Sequence, residues 1–566
     1  MKYSMHIINT PKKFLPVFKI FLVLLFLSYV IVGCKKNNDQ PATENATLSF
    51  TVNGNYNGTL SYNALNTKPV IAFTFSSAIN SNSIIAGIKL TNASGASIPF
   101  THTLSNGNKT ISIVPQNDLE GLSAYTLVID NYLKTASGGA ILNPVTISLK
   151  TGITLNDKFP VITDSALLDL IQRQTFKYFW DFGHPTSGLA RERNTSGDLV
   201  TTGGSGFGIM SIVTGIHRNF ITRSEGLARL QKITSFLKNN VQKYHGAFPH
   251  WLNGNTGAII PFSARDNGAD LVETSFLIQG LLTARQYFNS ADPAEATLRA
   301  DINSIWQGVE WSWFRKNNEN ILYWHWSPTN GWDINLPIRG WNESLVAYVL
   351  AASSPTHSIP KIVYDNGWAN NGNMRNNNTY YGIQLPLGPA LGGPLFFEHY
   401  SFLGIKPMGL VDQYANYQTQ TRNHTLINYE YCKANPKQHY GYSSEVWGLT
   451  ASDVPNGYTA SSPNNDIGVI APTAAISSMP YTPAESMAAL KFFYYKLGDK
   501  TWGEYGFYDA FSLKDLWFAK SYLAIDQGPI IVMIENHRSG LLWNLFTSCP
   551  EVKSGMLALG FSAPYL

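Results

Sequence analysis

Between residues 46 and 152, apolar and polar residues alternate in short runs. Leu48, Phe50 and Val52 form one such run, and Ile71, Phe73 and Phe75 another; Ile111 and Ile113, Tyr125, Leu127 and Ile129, and Val145, Ile147 and Leu149 follow. A period of two places every second side chain on one face. Runs of this kind separated by Asn, Gly and Ser predict the half-buried strands of an all-β sandwich. From Asp164 the period lengthens to three and four, through Leu167, Leu168, Ile171, Thr175, Tyr178 and Phe179, which predicts an amphipathic helix. Thr222 followed by Glu225 marks a capping box at the start of the next helix, carried on by Leu227, Leu230, Ile233, Leu237 and Val241. Further helical segments are expected near 269–288, 294–314, 342–353, 409–433, 483–497 and 513–546. About ten to twelve helices with long Gly-, Asn- and aromatic-rich loops predict an all-α domain over 156–566, arranged as an (α/α)6 toroid.

The segment before residue 46 has another character. Lys2, Lys12, Lys13 and Lys19 make a basic start without acids, an apolar run from Ile20 to Val32 follows, and Gly33-Cys34 closes it. That run is shorter than the roughly 20 apolar residues of a membrane-spanning helix and matches the apolar core of a secretory signal. Ile31-Val32-Gly33-Cys34 resembles a lipobox, with Ile31 and Val32 in place of the usual Leu and Ser or Ala. Residues 1–33 are therefore expected to be a lipoprotein signal peptide and 34–45 a polar tether. Lipidated Cys34 would anchor an outer-membrane lipoprotein facing the periplasm or the cell exterior. The same segment sets the net charge. Four of the 41 Lys and Arg precede Cys34 and none of the 37 Asp and Glu do, leaving 37 against 37. A neutral remainder excludes nucleic acid as a partner, which needs a concentrated basic patch. Cys432 and Cys549 are too few and too far apart for a disulfide framework or a zinc site.

The most acidic stretch is Asp266-Asn-Gly-Ala-Asp270-Leu-Val-Glu273. On a helix these three acids stand at i, i+4 and i+7 and share one face, which continues into Leu277, Gly280 and Leu281. A face acidic at its start and apolar beyond suits an inner helix whose N-terminal end opens into a cleft. Carboxylates clustered there raise at least one pKa and prepare a general acid. The same acids would also favour a helix N-terminus on a solvated face, and both readings stay open. Arg339-Gly-Trp341-Asn342-Glu343 puts a carboxyl in the first turn of another apolar helix, near Trp324-His325-Trp326. Tryptophan faces stack on sugar rings, so Trp324, Trp326, Trp341 and Arg339 are candidate substrate contacts. Asp526, ahead of Gly528-Pro529, marks a third helix mouth, while deeper Glu535 reads as half of a buried pair with an arginine. Glu445, Trp447 and His399 are further candidate contacts. No His-Glu-x-x-His, Gly-x-Ser-x-Gly or phosphate loop occurs, and no cofactor or metal is expected.

The blocks Asp266 to Phe276, Arg339 to Glu343, Phe396-Phe-Glu-His-Tyr-Ser-Phe402, Glu445-Val-Trp-Gly448 and Ile525-Asp-Gln-Gly-Pro529, taken in order, resemble the glucoamylase-like lipoproteins of Bacteroidetes. Within that group the likeness is to glycoside hydrolase family 144, the bacterial β-1,2-glucanases, and it covers about Lys158 to Leu566. The N-terminal part resembles bacterial Ig-like modules, which usually act as spacers. The resemblance implies an (α/α)6 barrel that hydrolyses β-1,2-glucan, in endo mode or with sophorose release, and with inversion. It implies Glu343 as proton donor and Asp266, Asp270, Glu273 and Asp526 lining the cleft, and leaves open which of these activates the water; Asp526 is the expected base, directly or through a relay. Inversion needs carboxyls roughly 6.5–9.5 Å apart. Two other readings stand beside this one. The first is a related barrel enzyme on another glucan or polysaccharide. The second is a non-catalytic glycan-binding lipoprotein, which would keep the tryptophans without needing the carboxylates.

Overall fold

The computed structural model describes residues 42–566; the signal-peptide and Cys34 expectations lie outside the described residues. The alternating segment forms β1 (Leu48–Val52), β2 (Ser61–Leu65), β3 (Ile71–Phe75), a one-turn α1 (Ile84–Gly87), β4 (Ile88–Asn92), β5 (Phe100–Ser105), β6 (Thr110–Pro115), β7 (Ala124–Ile129) and β8 (Val145–Thr151). They make two four-stranded sheets, ordered β1-β3-β6-β5 and β2-β8-β7-β4, antiparallel except for the β2–β8 pair. In β6 and β7 every second residue is buried, and both sheets contribute to one core around Phe73, Ile111, Leu127 and Ile147.

The remainder is mostly helical: α2 (Asp164–Trp180), α3 (Thr202–His217), α4 (Arg223–Asn239), α5 (Leu271–Tyr287), α6 (Pro293–Gln307), α7 (Leu345–Ser353), α8 (Lys361–Val363), α9 (Tyr417–Ala434), α10 (Pro472–Ile476), α11 (Pro483–Lys491), α12 (Gly498–Thr501), α13 (Ala524–Arg538), α14 (Leu541–Thr547) and α15 (Pro550–Leu559). Two kinds of helix are present. Helices α3, α5, α7 and α13 are buried along almost their whole length, as expected of helices apolar all round. Helices α2, α4, α6 and α9 bury one face only. The Thr222–Glu225 capping box forms at the start of α4.

Buried helices need small residues where they cross. At Gly206 of α3 a Cβ would stand 2.1 Å from the Phe276 carbonyl of α5, and at Gly280 it would stand 2.2 Å from the Gly206 carbonyl. The helix starts gather at one end of the domain. Gly203 N–H, in the first turn of α3, donates to Glu273 of α5, and Thr473 of α10 donates to the Asp526 carbonyl of α13 at 2.9 Å. Unpaired first-turn amides and the positive ends of the helix dipoles therefore converge on one region and favour carboxylates there.

Several boundaries differ from expectation: the helix expected over 409–433 starts at Tyr417, and the one expected over 294–314 ends at Gln307. The long helix expected over 513–546 is a short ribbon (Phe511–Ser512 with Trp517–Phe518) followed by α13 and α14, which Gly540 separates at φ 70°. Helix α13 starts at Ala524 and carries Pro529 within it, so Gly528-Pro529 does not mark its beginning. Cys432 and Cys549 are buried free thiols. All 14 tryptophans lie at or beyond Trp180, so the β-sandwich has none.

The sandwich touches the helical part. Tyr440 accepts the Ile153 N–H at 3.1 Å, Lys500 pairs with Glu120, and Leu122 packs into a helical-domain core with Leu167 and Leu168. None of these residues is among the candidate site acids. A chain starting near Asn156 is expected to keep turnover on soluble oligosaccharides but melt at a lower temperature, because the neighbours of Leu122 lose their cover. A truncation that folds well yet turns nothing over would refute that separation of roles.

Candidate active site

Three acids and two histidines meet around the start of α5. A two-residue ribbon pairs Asp270 opposite His325 and Ala269 opposite Trp326. Asp270 is the N-cap of α5: Oδ1 accepts the Val272 and Glu273 N–H groups at 3.0 and 2.9 Å. Its Oδ2 faces His250 Nδ1 at 3.2 Å and His325 Nε2 at 3.5 Å. His325 Nε2 also lies 3.4 Å from Asp266 Oδ2. Glu273 caps the neighbouring helix instead, with Oε2 accepting the Gly203 N–H at 2.7 Å and Oε1 3.9 Å from His250 Nε2. The three acids therefore converge, but not as one helical face. Helix α5 begins at Leu271, Asp266 lies in the preceding loop, and the ribbon rather than the helical pitch brings it to Asp270.

Burial and neighbouring charges together set different charge states for these groups. Burial opposes ionisation of Asp270, but hydrogen bonds from His250 and His325 outweigh it and hold its carboxyl well below the usual carboxylate range. Asp266 is pushed up to about 6 by burial and by the Asp270 charge. Burial also raises Glu273. Burial alone would discharge His250, but Glu273, Asp270 and Asp266 hold it up to about 9. His325 is raised against its burial by Asp270 and Asp266. Ligand atoms of His250, Asp266 and Asp270 lie within 4.8 Å of one another, close enough for one cation. A metal would have to displace the proton that His250 shares with Asp270.

Glu343 lies in the turn two residues before α7, not in its first turn. Ser401 Oγ donates to its backbone carbonyl. Among the described residues no side chain hydrogen-bonds to its carboxyl. Burial pushes that carboxyl up to about 7, and the charges of Glu273 and Asp270 add to the effect. Asp526, in the first turn of α13, is buried and raised well above the usual range by burial and then by Asp509 and Asp453. Buried Tyr400 joins the two sides: after burial itself, Asp526, Tyr458, Glu343 and Glu273 raise its phenol.

Half-buried Trp324 and Trp326 flank His325 on the ribbon, and Trp326 packs edge-on against Trp313 and His245. Exposed Arg339 donates to Asn370 at 3.3 Å. Four sequence candidates are placed elsewhere. Trp341 is 5% exposed, donates its indole N–H to Glu398 at 3.0 Å and packs against Trp368, Phe402 and Tyr417; it is a core residue. Trp447 is fully buried beside Tyr429. His399 is buried against Ser478 at 3.0 Å, and burial lowers it to about 3, so it stays neutral. Glu445 lines a surface hollow with Asp164 and His537. His537 lies eleven residues after Asp526 on α13, which is about 16 Å along the helix. Sequence reasoning missed His250, Tyr400 and Asp509, none of which sits in a spacing that marks it out.

Both parts of the chain resemble known proteins. Residues 335–550 match a family model described as "putative glucoamylase", and residues 38–151 match a bacterial Ig-like domain. An exo β-1,2-glucooligosaccharide sophorohydrolase of Parabacteroides distasonis is 47% identical over 418 residues, 70% of this chain; the chain spans 58% of that relative's length. The crystal structure of a Bacteroides uniformis protein with the same glucoamylase description superposes with a TM-score of 0.71 at 54% identity, covering 72% of this chain and 100% of that one. The endo-β-1,2-glucanase of Chitinophaga pinensis, solved with sophorotriose and glucose, gives a TM-score of 0.70 at 51% identity with coverage of 72% and 100%.

Proposed function

The chain belongs to the bacterial β-1,2-glucanases of glycoside hydrolase family 144, with an Ig-like module ahead of its helical domain, and from that premise we propose that it hydrolyses β-1,2-glucan by general acid–base catalysis with inversion. The observation that carries the reading is a group of buried acids, with Asp270 and Glu273 close enough for their charges to act on Glu343. Glu343 is held up to about 7 by burial, while Asp270 stays ionised beside two histidines. Carboxyls driven apart in this way take acid and charge-stabilising roles.

In the proposed reaction Glu343 gives its proton to the glycosidic oxygen as the C1–O bond breaks. A water attacks C1 from the opposite ring face, and Asp526 takes the proton that water loses. Asp270 and Glu273 support the positive charge that develops at C1. Trp324 and Trp326 offer ring faces to the sugars. We read the helical domain as an (α/α)6 toroid, supported by the regular succession of fully buried and half-buried helices. An anchor at Cys34 would hold the enzyme at a membrane surface, where it meets glucan chains.

Because the acid must enter each turnover protonated, kcat/KM is expected to fall as the pH rises through about 7. Its pH profile checks this: an alkaline limb near the ordinary carboxyl range would remove Glu343 from the role. The direct test incubates the protein with linear β-1,2-glucan and resolves products by length over time. Mixed short oligosaccharides appearing early mean endo cleavage, and disaccharide alone means sophorose release. No products from folded protein would sink the substrate assignment, and retention of unchanged glucan would favour a binding protein.

A further inference from the structure

Near the start of α13 two buried carboxyl oxygens, Asp526 Oδ2 and Asp509 Oδ1, have no donor. Each residue is 2% exposed, and their side chains lie within hydrogen-bonding reach of one another. The other oxygen of Asp509, Oδ2, accepts the Asp453 N–H at 2.6 Å. Among the described residues no Lys or Arg hydrogen-bonds to either carboxyl. Two carboxylates in contact away from water cannot both stay charged, whereas one proton between them converts the repulsion into a hydrogen bond.

We propose that Asp509 and Asp526 share one proton, and that Asp509 is a positioning residue which sets the pH at which Asp526 can act as a base. This rests on the reading of Asp526 as the base. The surroundings fit a pair that must supply its own hydrogen. Arg193, whose charge reaches the pair, is engaged by Asp453 at 3.2 Å and by Glu192 at 2.9 Å, and Ser521 donates to Asp453 at 2.5 Å. The phenols of Tyr458 on the hairpin that carries Asp453, of Tyr178 on α2 and of Tyr400 are near enough for the Asp526 charge to raise them. At the start of turnover the pair holds one proton and one negative charge. The attacking water's proton passes to Asp526, leaving both carboxyls neutral. One proton must then return to solvent before the next cycle.

Asp509→Asn replaces the carboxylic-acid donor that steadies ionised Asp526 with a weaker amide N–H. The acid limb of kcat/KM, which reports the first proton lost by the pair, is then expected to move up by about one pH unit, with the alkaline limb unmoved. Asp509→Glu, which keeps an ionisable group, is expected to hold the limb near that of the wild type. An unmoved acid limb in folded Asp509→Asn would overturn the proposal. Should that variant not fold, a carboxyl-carbon NMR titration of aspartate-labelled wild type decides. Two well-separated steps for the pair support a shared proton, and simultaneous titration of both residues refutes it. Asp526→Asn tests the underlying role separately: retained turnover would remove Asp526 as base, while the carboxyl titration would still judge the shared proton.

Discussion

Glu343→Gln is expected to lower kcat by about 10²–10⁴-fold, the range general acid catalysis contributes, with folding intact. The amide keeps the shape of the side chain but cannot surrender a proton to the departing oxygen. Little else should change, since the structural link at this residue is Ser401 to its backbone carbonyl, which the substitution leaves in place. Two signatures separate lost acid catalysis from a local disturbance. The deficit should shrink on a substrate with an activated aryl leaving group that needs no proton, and the alkaline limb near pH 7 should vanish. Stability carries a third. A carboxyl whose pKa is raised in the folded state costs stability progressively as the pH climbs from its unfolded value to its folded one, and the cost is complete above the folded value. The variant should therefore be relatively more stable than wild type above about pH 7. A variant that keeps most of its activity would end the assignment.

Arg218→Ala should produce the largest loss of stability, about 3–5 kcal/mol. Glu535 is fully buried on α13. Arg218, at the end of α3, reaches it with Nε at 2.6 Å and Nη2 at 2.9 Å, and Gln172 and Ser539 add bonds at 3.1 and 2.5 Å. Burial opposes its charge, but these bonds, Arg218 first, keep its carboxyl below the ordinary value. Such a group stabilises the fold above its unfolded pKa and loses that contribution as the pH falls through the folded one. Without Arg218 the buried charge is uncompensated at neutral pH, whereas in acid Glu535 takes up a proton. Urea unfolding at pH 7 and pH 4 should therefore show a larger deficit at the higher pH, and equal deficits would refute the charge explanation. Glu535 lies nine residues beyond Asp526 on α13, about 13 Å along the helix, so folded variant should turn substrate over normally.

Periodicity was informative where one face meets solvent. The strands of the sandwich and the amphipathic helices α2 and α4 appear where alternation and threefold-fourfold spacing place them. It was less informative inside, where α13 is apolar on all sides and its ends are set by tertiary contacts and by Gly540. The acids were legible because carboxylates among apolar residues need a reason. The geometry that joins them was not, because a ribbon between residues more than fifty apart in sequence brings His325 to Asp270. The aromatic residues misled for a related reason. A tryptophan near acids can serve a sugar or a buried carboxylate, and Trp341 serves Glu398. Asp509 carried no sequence signal at all, since only the folded chain sets it against Asp526.

The distribution of tryptophan makes the two parts of the chain separately visible. With 14 indoles beyond residue 179 and none in the sandwich, tryptophan emission reports on the helical domain alone. The sandwich, with Tyr62 and Tyr125 in its core, adds nothing to that emission, so its unfolding shows only in signals that both parts share, such as far-ultraviolet dichroism. A dichroism transition that precedes the tryptophan one should therefore mark the module unfolding first, and coincident transitions its unfolding together with its neighbour. Because Trp324 and Trp326 adjoin His325, part of that same emission should shift when a sugar chain settles in the cleft, giving a label-free titration signal.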